Sequence, residues 1–148
     1  MTGGRAVIEA VIPHRHPMLL VDRVSEVDPG VRLVAQWTIT GREPWYPKPG
    51  DGGPAPCPPG LLLESWAQAA VALTRWHEPN TGQVALLTMF RKAAVLGAVL
   101  PGADIVHQVR LDKVTDGASV LSGSATADGA PVLEIGLCVI ASRAANLL

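Results

Sequence analysis

The run from Pro56 to Glu78 (PCPPGLLLESWAQAAVALTRWHE) sets the strongest condition on how this chain can fold. Clustered prolines followed by Leu and Ala predict one long helix, because proline presets φ at a helix start and Ala and Leu propagate it at little cost. Pro79, Asn80, Thr81 and Gly82 then end it. Leu61, Leu62, Leu63, Trp66, Ala70 and Leu73 put apolar groups on nearly every side, so the helix is expected inside a core and not on a surface. Two polar residues interrupt it. Glu64 and Gln68 lie four residues apart, on one face about one turn from each other. A carboxylate so placed needs a partner, a raised pKa or a chemical task.

The chain is long enough to enclose such a helix. At 148 residues, 48% hydrophobic and 17% charged, it fits one domain spanning 1–148 with a sizeable core. A net charge of −1 and the lack of any basic run argue against nucleic acid or an anionic membrane as partner. No apolar stretch reaches membrane-spanning length, since Glu64 and Gln68 break the best candidate, and no secretory signal pattern opens the chain. A cytoplasmic location is therefore expected. Cys57 and Cys138 are too few and too far apart for a framework of bridges or a metal site.

Ahead of the helix, residues 5–12 read as a short amphipathic helix closed by Pro13. His14 to Pro17 form a polar turn, and MLLVDRVSEVD reads as a strand. After the turn at Pro29-Gly30, alternation of Val31, Leu33, Ala35, Trp37 and Ile39 marks a half-buried strand, giving a hairpin. Residues 41–59 are rich in Pro and Gly and read as a long ordered loop, a feature that in compact domains is usually functional or disordered. Beyond the helix come QVALLTM, FRKAAVLGAVLPGAD and strands near IVHQVRLDKV, SVLSGSATAD and PVLEIGLCVIAS, with Asp116-Gly117 and Asp128-Gly129 as hairpin turns. The layout is α+β, an antiparallel sheet wrapped around a long central helix.

Three motifs carry a family resemblance. Ile12-Pro13-His14-Arg15-His16-Pro17-Met18-Leu19-Leu20-Val21-Asp22-Arg23 closely resembles the opening Leu-Pro-His-Arg-Tyr-Pro-Phe-Leu-Leu-Val-Asp-Arg of the FabZ-type 3-hydroxyacyl-[acyl-carrier-protein] dehydratases. Pro59-Gly60 and Glu64-Ser65-Trp66-Ala67-Gln68-Ala69 resemble that family's Pro-Gly and Glu-Ala-Met-Ala-Gln-Ala. Val99-Leu100-Pro101-Gly102-Ala103-Asp104 resembles its Val-Leu-Pro-Gly-Asp with one residue extra. The motifs occur in family order across most of the chain.

The resemblance implies a hotdog fold and a dimer joined sheet edge to sheet edge, with active sites at the interface that take His from one chain and Glu from the other. It implies a 3-hydroxyacyl substrate on the phosphopantetheine arm of acyl carrier protein, in fatty-acid or polyketide biosynthesis, and no other cofactor. Glu64 matches the carboxylate and Gln68 the residue that helps hold it. Pro59, Gly60, Leu61 and Trp66 are the expected substrate-binding residues, with backbone N–H groups near Gly60 donating to the thioester oxygen.

One element of the family pattern is absent. Its histidine lies in a Gly-His-Phe-Pro-Gly segment about a dozen residues before the carboxylate, where this chain has Lys48-Pro49-Gly50-Asp51-Gly52-Gly53-Pro54. Three readings stay open. Glu64 pairs with a histidine of a different FabZ-like subunit; or a homodimer uses a substitute base, Asp51; or the fold serves as a non-catalytic partner, a thioesterase or an isomerase. His14 and His16 are read as structural, His77 as a helix-end residue and His107 as a sheet-face residue. Glu64 itself has a purely structural alternative, a buried ion pair with an arginine such as Arg23.

Overall fold

The computed structural model describes residues 2–48, 52–53, 55–77 and 82–144. A short helix α1 (Arg5–Val11) precedes the hairpin β1 (Arg23–Asp28) and β2 (Arg32–Thr38). The long helix α2 (Pro59–Arg75) follows, then β3 (Gln83–Val95), β4 (Asp104–Thr115), β5 (Ala118–Ala127) and β6 (Ala130–Ala144). The six strands form one antiparallel sheet in the order β1-β2-β4-β5-β6-β3.

Helix α2 starts where the prolines allow it. Pro59 occupies the first turn, where its missing N–H removes no bond, and the amides of Leu61 and Leu62 turn back to the Pro58 carbonyl. The helix packs against β2, β3, β4, β5 and β6, and the buried side chains form a single cluster around it. On the sheet, strict alternation sends Leu33, Ala35 and Trp37 of β2 inward, opposite Val109, His107 and Ile105 of β4. The α+β expectation of a sheet around a central helix is borne out.

Helix and sheet meet directly at Trp66. Its indole is fully buried and its Nε1–H donates to the Gln108 carbonyl at 3.1 Å. The approach requires Gly123 on β5, where a Cβ would lie 1.9 Å from the Gln108 carbonyl oxygen and 3.0 Å from Trp66 Cζ2. Gly123→Ala is therefore expected to cost about 3 kcal/mol, at the upper end of overpacking, because a backbone carbonyl cannot swing aside. A urea unfolding midpoint equal to wild type would show that the two strands separate freely at this point.

Two boundaries differ from the sequence reading, each for a physical reason. The expected strand from Met18 begins only at Arg23, because Gln68 and Ser65 of α2 capture the backbone of Met18 and Leu20. Strand β3 is continuous through Phe90 where two segments were expected. Most of its residues are exposed, so it lacks the period-two signature, and Lys92 adopts φ +53° within it.

The two sheet edges are unequal. Short β1 is covered by Gly3, which exchanges two backbone hydrogen bonds with Val24. Long β3 exposes Leu87 and Met89, with no strand beyond it among the described residues. No helix among the described residues is long and apolar enough to cross a membrane.

Candidate active site

Gly60, Glu64 and Gln68 recur every fourth residue and form one stripe on α2. Gly60 is exposed. Pro59 has no N–H and the next two amides bond to Pro58, so the Gly60 N–H is the amide of the first turn that finds no acceptor among the described residues. One turn on, the Glu64 side chain is 36% exposed. One turn further, Gln68 is fully enclosed.

Gln68 ties three segments together. Its Oε1 accepts from the Leu20 N–H at 2.8 Å, and its Nε2 donates to the Met18 carbonyl at 2.8 Å and to Glu64 Oε1 at 3.0 Å. Beside it, the Ser65 hydroxyl donates to the Leu20 carbonyl at 2.6 Å and lies 2.7 Å from His107 Nε2. With its one proton given to Leu20, Ser65 must accept from His107, which assigns the imidazole proton to Nε2. Burial pushes the His107 pKa down to about 3, so this histidine stays neutral and structural.

The stapled segment delivers a second histidine. Arg15 donates to the carbonyls of Glu9, Ile12 and His14, winding the turn after α1 around its guanidinium. His14 Nε2 thereby comes to 3.5 Å from Glu64 Oε1. The facing imidazole holds the Glu64 carboxyl below its usual range; partial burial opposes this and the Gln68 bond reinforces it. The arginine alternative is thereby corrected, since Glu64 meets His14 and not Arg23, whose side chain is exposed.

Other expected site residues distribute as follows. Pro59 lines an apolar recess of about 330 Å³ beside the start of α2, with Cys57, Leu62, Val95, Leu96 and Val99. Leu61 is half-buried. Trp66 is corrected from substrate-binding residue to core strut, its indole fully enclosed between α2 and the sheet. Asp51 lies outside the described residues. His77 is exposed past the end of α2. Burial pushes the Cys57 thiol up to about 11, an unreactive value. No group of metal-binding side chains occurs among the described residues. A larger depression of about 700 Å³ lies on the outer face of the sheet among Arg32, Lys92, Gln108 and Arg110, away from Glu64.

A family model described as the FabA-like domain matches residues 12–136. The chain belongs to the FabA-like family. It is 35% identical over 128 residues to the 3-hydroxyacyl-[acyl-carrier-protein] dehydratase FabZ of Roseiflexus castenholzii, covering 86% of this chain and 88% of that protein. It is 38% identical to the Enterococcus faecalis enzyme of the same name, with 86% and 89% covered. Among solved structures, the dehydratase heterocomplex ApeI:P of Xenorhabdus doucetiae superposes with a TM-score of 0.75 at 19% identity, covering 94% of this chain and 92% of that one. The fluoroacetyl-CoA thioesterase FlK superposes at 0.67 and 15% identity, covering 83% and 93%. These last two likenesses establish the hotdog fold, and the FabZ relatives make this FabA-like chain a dehydratase-like lyase.

Proposed function

We infer that this FabA-like chain is one subunit of a heterodimeric dehydratase, acting on 3-hydroxyacyl thioesters carried on the phosphopantetheine of an acyl carrier protein. The observation that carries this reading is Glu64. It is half-exposed, held through Oε1 by Gln68 and aligned with the free Gly60 amide, in a chain with no histidine between His16 and His77. In this reading Glu64 supplies the carboxylate half of a composite site and a FabZ-like partner supplies the base. The long open edge of β3 supports pairing with a second hotdog subunit, since an uncovered strand with apolar side chains is stable chiefly when another strand continues the sheet.

In this reading a histidine of a FabZ-like subunit removes the C2 proton and the Gly60 N–H stabilises the charge developing on the thioester oxygen. Glu64 engages the 3-hydroxyl. The C3–O bond breaks as C2=C3 forms, and the imidazolium returns its proton to the departing hydroxyl, so that water leaves and no outside acid is needed.

The test is to purify the chain alone, measure its mass by light scattering, and follow loss of water from a 3-hydroxyacyl carrier protein by mass spectrometry. The expected result is an inactive chain that gains activity on co-expression with a FabZ-like subunit carrying the Gly-His segment. An active homodimer overturns the heterodimer and directs attention to Asp51. Free acid in place of enoyl product makes the protein a thioesterase.

A further inference from the structure

We propose that His14 is a positioning residue of this site: with Gln68 it occupies Oε1 of Glu64, so that Oε2 alone is presented to the 3-hydroxyl of the substrate. The inference rests on the dehydratase reading and adds a residue to it. Both nitrogen groups converge on a single carboxylate oxygen, Gln68 Nε2 at 3.0 Å and His14 Nε2 at 3.5 Å, while Oε2 accepts no hydrogen bond among the described residues. A carboxylate gripped by one oxygen from two directions cannot rotate to exchange its oxygens without breaking both contacts. Its free oxygen therefore has one orientation, the condition under which positioning accelerates a reaction.

His14 is itself fixed. Arg15 pins its carbonyl and those of Glu9 and Ile12, and Gln68 pins Met18, so the backbone that carries the imidazole is held on both sides of the turn. Its Nδ1 is enclosed without a partner. Nε2 is therefore the ring nitrogen that meets a polar partner, and that partner is Glu64. Among the described residues His14 is the one titratable side chain that meets Glu64; from α2 itself the neighbour is the uncharged Gln68. The pair keeps Glu64 an acceptor at neutral pH. The hydroxyl proton of the substrate then bonds to Oε2, aligning the C3–O bond for departure, and the proton that completes the water comes from the base that took it from C2.

Two readouts decide the matter. Isotope-edited NMR of the full chain labelled at glutamate carboxyls, with Glu64 assigned by its absence in E64Q, reports the titration of that group without any need for activity. In His14→Ala the Glu64 midpoint should rise, because the facing imidazole that holds it down is removed. In the active complex, His14→Ala should lower kcat by about ten- to a hundredfold with KM changed less than about twofold, and move the acid limb of the rate profile to higher pH. His14→Gln, which keeps an N–H donor, should recover most of the rate. An unchanged Glu64 midpoint in an active wild-type background, or His14→Gln no better than His14→Ala, overturns the inference. A wild-type complex that never loses water from the substrate overturns the dehydratase reading instead, whatever the Glu64 titration shows.

Discussion

Glu64→Gln in the assembled enzyme is expected to reduce enoyl formation by ~10²- to 10³-fold, the usual weight of a charged group preorganised against a reacting centre, while the melting temperature stays near wild type. The two halves of this expectation have separate causes. The fold is spared because the Glu64 side chain is 36% exposed and its one hydrogen bond within the described structure is to Gln68, which an amide at position 64 can still accept. Removing the charge also removes a contact with His14 that solvent partly screens, so little stability is at stake. The chemistry is not spared, because an amide oxygen is a far weaker acceptor than a carboxylate for the 3-hydroxyl proton, and the amide brings a donor that can turn toward the substrate instead. The assay is mass spectrometry of the carrier-bound product beside a thermal melt of the same sample. Activity within about twofold of wild type would assign the chemistry wholly to the partner and make this chain a scaffold.

The pH dependence of stability follows from the same contact. The folded pKa of Glu64 is depressed, so its stabilising contribution is fully present above the ordinary glutamate pKa and is lost as pH falls through the lower folded value. The loss is confined to acidic solution.

What sequence made legible and what it hid divide by the range of the interactions. Helix α2 was readable because proline, alanine and leucine act locally; its observed span, Pro59–Arg75, trims the expected one by a turn at the start, where three prolines in four residues leave only one inside. Glu64 and Gln68 stood out because two polar groups inside an apolar helix have few cheap explanations. His14 was visible in the opening motif but its neighbour was not, since fifty residues separate it from Glu64. That contact exists only because Gln68 and Ser65 draw residues 18–20 onto the helix, a staple formed by side chains meeting backbone, which leaves no periodicity to detect. Ser65 and His107 were hidden likewise: each looks unremarkable in its own element, and their pairing depends on how α2 lies across β4. Trp66 is misleading in sequence because an aromatic near a polar helix stripe resembles a substrate contact, whereas the helical turn directs it to the opposite side, onto Gly123.

Gln68→Leu should show how much rests on that staple. Leucine nearly matches the volume but leaves the buried Leu20 N–H without a partner, a loss of about 1–3 kcal/mol, and takes the donor from the part-buried Met18 carbonyl as well. A total near 3 kcal/mol corresponds to a fall in melting temperature of about 6–12 °C for a domain of this size. Activity should fall further than stability alone accounts for, measured at a temperature where the variant is fully folded. Freed from Gln68, the segment from His14 to Leu20 loses its register on α2, so Glu64 loses its hydrogen-bond donor directly and has the His14 contact displaced. Ser65→Ala supplies the contrast: it also releases the Leu20 carbonyl, but it leaves both contacts on Glu64 in place, so it should destabilise without an added loss of rate at the same folded fraction. Equal rate losses in the two variants would mean that Gln68 acts on the reaction only by holding the fold. A larger loss in Gln68→Leu would trace the surplus to Glu64, whose usable oxygen is decided by what grips the other one.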